Sequence, residues 1–278
     1  MRLKRLAGVL SWVILPLLLT TTACQAAQVH PARPAKPTRQ TCATNQTGII
    51  PVHSAGGHVY EFEADEYNSR VPYTVCTNGS TGFTVQNSSL DIPLGGAPGA
   101  YASQYRGNHG YLAPVPPESG LPVPVGQFTT GGDPVRLSLS ATPPSSGVWD
   151  LDFDTFFTPV NASRPGPQTE IMIWLDSAGV NPAGPELAKD VELDGLFWNI
   201  YGEWTSTNPR MSLVSYQLAP PRASVTSLDY TPFVQRTISA GFLPSGWTLA
   251  DVEAGYEIWQ GGTGAQVGSW SVCDPAGC

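Results

Sequence analysis

Two glutamates of this chain lie inside apolar, strand-like runs, where another apolar residue would be the ordinary choice. Glu170 is in Gln168-Thr169-Glu170-Ile171-Met172-Ile173-Trp174-Leu175-Asp176, and Glu257 is in Gly255-Tyr256-Glu257-Ile258-Trp259. Side chains alternate faces along a strand. Ile171, Ile173 and Leu175 therefore share one face, while Glu170, Met172 and Trp174 share the other. In the second run Glu257 and Trp259 share a face. Burying an unpaired carboxylate is costly, so placements of this kind mark candidates for catalysis. Two carboxyl groups can perform both halves of acetal hydrolysis. One protonates the leaving oxygen, and the other attacks or activates water. A gap of roughly 5–5.5 Å makes the second a nucleophile, and about 6.5–9.5 Å implies inversion. The indoles beside both acids offer flat faces on which the C–H side of a sugar ring can stack, so a polysaccharide is the substrate class that fits.

A third run, Val148-Trp149-Asp150-Leu151-Asp152-Phe153-Asp154-Thr155-Phe156, puts Trp149, Leu151 and Phe153 on one face and three aspartates on the other. A third acid close to the pair raises a neighbour's pKa by like-charge repulsion. Asp150 and Asp152 are expected on a solvated strand face. Glu118, Glu186, Glu192, Glu203 and Glu253 are expected on the surface, as are His53 and His58, which make no metal-ligand spacing. Ser177 and Ser245 have no nucleophile-elbow context. Gly261-Gly262-Thr263-Gly264 follows a strand without opening a helix, so it reads as a hairpin turn. No metal or cofactor is expected.

The elements that would position these acids are short strands. Alternating runs recur at Gly57–Glu63, Tyr73–Thr77, Gly82–Asn87, Tyr101–Tyr105, Val135–Ala141 and Val148–Phe157. They continue at Thr169–Asp176, Val191–Asp194, Phe197–Glu203, Met211–Leu218, Thr248–Trp259 and Ala265–Val272. Twelve strands separated by Gly, Pro, Asn and Ser predict an all-β sandwich or barrel. One helix is expected, from Leu228 to about Gly241, with Asp229 and Pro232 near its start. The Pro/Gly-rich stretch Tyr111–Gly132 is expected to rim a cleft.

The first residues read as an export leader, residues 1–24. Arg2, Lys4 and Arg5 precede the apolar run Leu6–Leu19 and the small residues Thr22-Ala23-Cys24. Cys24 is either the lipid-bearing residue of a lipoprotein-type signal or part of an ordinary leader cleaved after Ala26. A Pro-rich linker follows over residues 25–40, and residues 41–278 form a single domain. Removing the three basic residues with the leader takes the net charge from −8 to −11. Neutralising phosphates takes clusters of Lys and Arg, so nucleic acid is excluded as a partner. A neutral polymer is compatible. Four cysteines remain after Cys24, and an oxidising compartment allows three pairings. Cys42–Cys76 and Cys273–Cys278 are the expected ones.

Taken together, the motifs resemble glycoside hydrolase family 12, the small endo-β-1,4-glucanases. Gln168–Trp174 is similar to that family's nucleophile strand, and Ala254–Gln260 to its acid/base strand, in the family's order. Ser227–Trp247 resembles its single helix and the turn after it. Tyr101–His109 resembles the loop that carries a His near the cleft. The resemblance spans roughly residues 42–272. It implies a two-sheet, concanavalin-like β-jelly roll with a concave cleft, one short α-helix, and hydrolysis with retention of configuration. Carried over by position, Glu170 is the nucleophile, Glu257 the general acid/base, and Asp154 the supporting carboxylate. His109, Met172, Trp174 and Trp259 would contact the glucan. The family's Asn-Asn-x-Trp-Gly run is replaced by Ala64-Asp65-Glu66-Tyr67-Asn68, which makes Tyr67 the candidate sugar platform. Asn108 stands where the family has a loop Cys, and the Cys273–Cys278 pair is extra. The implied partner is a β-glucan: cellulose-type, xyloglucan or mixed-linkage. The implied state is a monomer that meets a membrane only through a lipid on Cys24. A non-catalytic glucan-binding or cell-wall adhesion protein on the same scaffold is the rival reading.

Overall fold

Alternation of apolar and polar side chains is satisfied here by two stacked sheets. The computed structural model describes residues 40–44, 50–53, 58–77, 79–107, 120–160, 168–204, 211–275 and 277–278. The expected leader with Cys24, the expected linker up to residue 39, His109 and the first part of the 111–132 stretch lie outside the described residues. In chain order the first elements are β1 (Thr41–Thr44), β2 (Ile50–His53), β3 (Val59–Glu63), β4 (Tyr73–Thr77), β5 (Phe83–Ser88), β6 (Leu90–Asp91) and β7 (Ala100–Gly107). Next come β8 (Val123–Pro124), α1 (Val125–Thr129), β9 (Arg136–Thr142), β10 (Gly147–Thr158), β11 (Gln168–Ala178) and β12 (Glu186–Leu193). The chain closes with β13 (Leu196–Trp204), β14 (Met211–Leu218), β15 (Ser224–Asp229), α2 (Thr231–Ser239), β16 (Thr248–Gly261) and β17 (Gln266–Cys273).

The smaller sheet runs β1-β4-β5-β17-β9-β15, and the larger runs β12-β13-β14-β11-β10-β16-β7-β3-β2, with β6 and β8 added against β16. β11 pairs with β14 in parallel, while its other neighbour, β10, is antiparallel to it and to β16. This is the two-sheet β-jelly roll. The core fills the space between the layers. Leu151, Phe153, Ile171, Ile173, Val252, Ala254 and Ile258 of the larger sheet join Val75, Val85, Leu137, Leu139, Val267 and Trp270 of the smaller one in a single buried cluster. Burying a Leu, Ile, Val or Phe contributes roughly 1.5–3 kcal/mol. The inward face is thus committed to packing, and the acids of β10, β11 and β16 must project from the other face.

Two disulfides are present as expected, Cys42–Cys76 across the β1–β4 ladder and Cys273–Cys278 at the end of the chain. Two expectations about helices are corrected. The helix is α2, shorter than Leu228–Gly241, because Leu228 and Asp229 pair with Leu137 and Arg136 as the last residues of β15. The Asp229 carboxylate accepts from the Thr231 backbone N–H at 2.9 Å, and Gly241 takes a positive φ of 83° where the helix unwinds. A second helix, α1, lies within the stretch expected to be loop. Its five residues are too few to show a periodicity, but Val125 and Phe128 are buried one turn apart.

Candidate active site

Three neighbouring strands of the larger sheet build the site floor, in the order β11-β10-β16. Phe156 pairs with Glu170, Asp154 with Met172 and Asp152 with Trp174. On the other side Asp152 pairs with Gly255 and Asp154 with Glu253. Cross-strand partners in an antiparallel pair share a face. The outward face therefore carries Glu170, Met172 and Trp174 on β11, the three aspartates on β10, and Glu253, Gly255, Glu257 and Trp259 on β16. The two glutamates stand at opposite ends of this floor, with the aspartates of β10 between them. An irregularity between Leu151 and Asp152 shifts the β10–β11 register by one residue just there. Gly255 is required by close approach: a Cβ at that position would lie 2.2 Å from the Ala102 carbonyl oxygen of β7.

Above this floor is a cleft of about 770 Å³ lined by Glu170, Glu257, Met172, Trp174, Trp259 and Tyr67. Leu94–Pro98 and Gly179–Gly184 form its rims, and Glu203 and Leu213 line it as well. Met172, Trp174 and Trp259 form an apolar cluster separate from the main core, backed by Ile92, Val148, Val180 and Leu213. Trp259 donates its Nε1–H to the Gly96 carbonyl at 2.8 Å, which ties the rim to the indole. The Trp174 Nε1–H has no protein acceptor among the described residues. Tyr67 is 42% exposed. Its hydroxyl is pushed above the ordinary value by burial and next by the charge of Glu257. The ring thus faces open cleft while the phenol end lies among the acids. The neighbouring Glu66 plays no part in the cleft: it is buried and accepts from the Val71 N–H at 2.7 Å.

Every acid on the floor is pushed toward its protonated form. Burial raises Glu170 to about 8, with the charge of Glu257 the next cause. Burial also raises Glu257 to about 7, against a hydrogen bond from Asp150 that lowers it. Asp154 is held well above the usual carboxylate range by burial and then by Glu170; Asp150 and Asp152 are held up by burial and then by Glu257. Like charges this close cannot all ionise, so the site keeps protons at neutral pH. One glutamate ionised and one protonated is the arrangement that acid-assisted nucleophilic attack on an acetal needs.

The match to the family model described as glycosyl hydrolase family 12 covers residues 97–273, which includes β10, β11 and β16. The chain belongs to glycosyl hydrolase family 12. It is 28% identical over 153 residues to the probable cellulase Cel12b of Mycobacterium tuberculosis, covering 55% of this chain and 95% of that one. The solved endoglucanase cel12A from Rhodothermus marinus superposes with a TM-score of 0.72 at 28% identity, covering 84% of this chain and 98% of the other. A family 12 xyloglucanase from Bacillus licheniformis reaches a TM-score of 0.68 over 83% of this chain and 98% of that one; at 19% identity this speaks to the fold alone.

In this family 12 hydrolase, Glu170, Glu257, Tyr67, Met172, Trp174 and Trp259 line one cleft. Asp154 is diagonal to Glu170 across the β10–β11 pair. His109 lies outside the described residues. Three expectations are overturned. Asp150 and Asp152 are fully buried on the site floor, not on a solvated face, and Glu253, expected on the surface, is fully buried there too. Ser103 donates to the Glu253 carboxylate at 3.3 Å. Glu203 is half-buried and lines the cleft. Alternation alone carried no signal of this, because a D-x-D-x-D run whose other face is apolar reads as a half-exposed strand. The burial follows from the place of β10 inside the sheet, between β11 and β16.

Proposed function

We propose that this chain is a secreted endo-acting β-1,4-glucanase that hydrolyses cellulose-type glucan, xyloglucan or mixed-linkage β-glucan with retention of configuration. The observation that carries this reading is the pairing of Glu170 and Glu257 on one aromatic-walled cleft. The names of the two 28%-identical relatives, a probable cellulase and an endoglucanase, support a β-1,4-glucan as substrate. The glucan chain lies along the cleft, with sugar rings against Trp174, Trp259 and Tyr67. The Glu170 carboxylate attacks the anomeric carbon while Glu257 gives its proton to the departing glycosidic oxygen. A glycosyl ester on Glu170 results. Water then attacks the same carbon, Glu257 takes a proton from it, and Glu170 leaves as carboxylate. Asp154, beside Glu170, adjusts the nucleophile's ionisation. The enzyme works as a monomer outside the cell, either free or held at the surface by a lipid on Cys24.

Reducing-sugar release from carboxymethylcellulose, xyloglucan and barley glucan by wild type and Glu170→Gln tests the reading. Turnover by wild type alone supports it. Binding without turnover by both proteins would favour a lectin-like role instead. NMR of the first product's anomer tests retention, and an inverted product would remove Glu170 from the nucleophile role.

A further inference from the structure

The β10–β16 register runs from Trp149–Ile258 to Asp152–Gly255 and so sets Asp150 directly across from Glu257 on the cleft face. Asp150 is fully buried. Besides the Glu257 backbone N–H, which bears on its carboxyl and opposes its protonation, no N–H or hydroxyl among the described residues donates to its oxygens. Its side-chain partner is the carboxyl of Glu257, whose charge outweighs that N–H. Two ionised carboxylates offer only acceptors, so such a contact exists only when one of them carries a proton. Glu257 is partly open to the cleft, whereas Asp150 is not. Burial penalises the charged form most where it is deepest, so Asp150 keeps a proton while Glu257 cycles. The other titratable groups facing the pair reinforce this. They are Asp152 and Asp154 from β10, Glu170 from β11, Glu253 from β16, Tyr101 from β7, and Asp65 and Tyr67 from the segment after β3. All are acids or phenols, and none favours a second charge at Asp150.

We propose that Asp150 is the positioning residue for Glu257: it stays protonated and donates a hydrogen bond that holds the Glu257 carboxyl in place and stabilises its ionised form. This rests on the acid/base reading of Glu257. When Glu257 has given its proton to the leaving oxygen, the Asp150 hydroxyl donates to the new carboxylate. When Glu257 takes a proton from the attacking water, Asp150 still holds its own. Asp150 exchanges no proton with the substrate. It sets how readily Glu257 gives one up and accepts one back.

The test uses the full chain, with Asp150→Ala, Asp150→Asn and Glu257→Ala, on aryl β-cellobiosides of graded leaving-group ability across pH. Asp150→Ala removes the donor that favours ionised Glu257, so the alkaline limb of kcat/KM should move up by about 0.5–1 pH unit. Its kcat on the best leaving groups, where the base-assisted second step limits, should fall about tenfold. Asp150→Asn keeps an N–H donor and should return the limb to within about 0.3 pH unit of wild type. A limb unmoved in Asp150→Ala, or equal losses in both variants at every pH, would overturn the proposal. Should Asp150→Ala not fold, difference infrared spectroscopy decides. A deuterium-sensitive C=O band of a protonated carboxyl should vanish in Asp150→Asn, and its persistence would overturn the assignment. Glu257→Ala separates the two failures. Wild-type turnover in that variant would overturn the acid/base reading itself. Loss on poor leaving groups and rescue by azide on good ones, alongside an unmoved limb in Asp150→Ala, would overturn only the role of Asp150.

Discussion

A floor of buried acids makes a stability prediction that runs against habit. Carboxylates paired in the native state usually stabilise a protein as pH rises. Asp150, Asp152 and Asp154 do the reverse. Burial is the largest cause holding each well above its ordinary value, and for Asp152 the charge of Glu257 adds to it while the Tyr101 hydroxyl opposes it. A group whose folded pKa is raised contributes stability in full below its unfolded pKa. That contribution is lost as pH rises toward the folded pKa. The window therefore opens near pH 4, the unfolded aspartate value, and extends upward toward the raised folded values. Across it the native state binds more protons than the unfolded state, so the slope of unfolding free energy with pH is negative, about 1.4 kcal/mol per pH unit for each extra proton.

Within that window each such proton removes about 1.4 kcal/mol per pH unit. Domains have only about 5–15 kcal/mol in total, so the maximum of stability should lie at acid pH. Urea unfolding followed by tryptophan fluorescence, with the disulfides intact, measures this directly. Asp152→Asn isolates one proton: it is close to isosteric and cannot titrate. Its slope should be shallower than that of wild type by ~1.4 kcal/mol per pH unit. Stability that is flat or rises over this range, or an unchanged slope in Asp152→Asn, would show that these aspartates are ionised in the fold.

Other perturbations follow from single contacts. Asp274→Ala removes the carboxylate 2.6 Å from the fully buried Arg106 guanidinium. Breaking such a pair from one side costs about 3–5 kcal/mol, a Tm drop on the order of 10 °C, and an unchanged melting curve would refute the pairing. Gly255→Ala puts a Cβ 2.2 Å from the Ala102 carbonyl oxygen. Because that atom is backbone, β7 and β16 must separate, and soluble expression with a wild-type melt would contradict the close approach. Trp259→Phe keeps an aromatic face but loses the 2.8 Å bond to Gly96. A loss of ~1 kcal/mol in rim positioning predicts a KM increase of about fivefold on a soluble glucan, with circular dichroism unchanged; an unaltered KM would show that the rim needs no tether.

What was legible in the sequence is what alternation controls. The faces of β11 and β16 follow from a period of two, because a slip by one residue would turn Ile171, Ile173 and Leu175 to water and Glu170 into the core. The Cys42–Cys76 pair could be anticipated, and the two cysteines are register partners on β1 and β4. What alternation leaves open is what covers a face. Asp150, Asp152 and Glu253 are spaced as solvent-facing residues of a half-exposed strand are spaced. They are buried because β10 and β16 are interior strands whose outward face is the cleft floor. α1 was hidden for a different reason: five residues are shorter than any helical period can reveal.

The placement of β10 between β11 and β16 also explains why the acids act as a set. Glu170 and Glu257 come from distant parts of the chain, yet each lies beside an aspartate of the same strand. Asp154 feels Glu170 first among its charged neighbours, Asp150 feels Glu257 first, and Asp152 between them feels Glu257 and then Glu253. A proton taken from any one of them changes the field at all the others, because all stand on one water-poor face. The proposed chemistry needs one glutamate ionised and its partner protonated. Aspartates pushed by burial toward their protonated form let a negative charge reside on a glutamate without adding a second charge next to it. The aspartates are therefore better understood as the uncharged spacing that keeps two carboxyl groups on one floor in opposite protonation states.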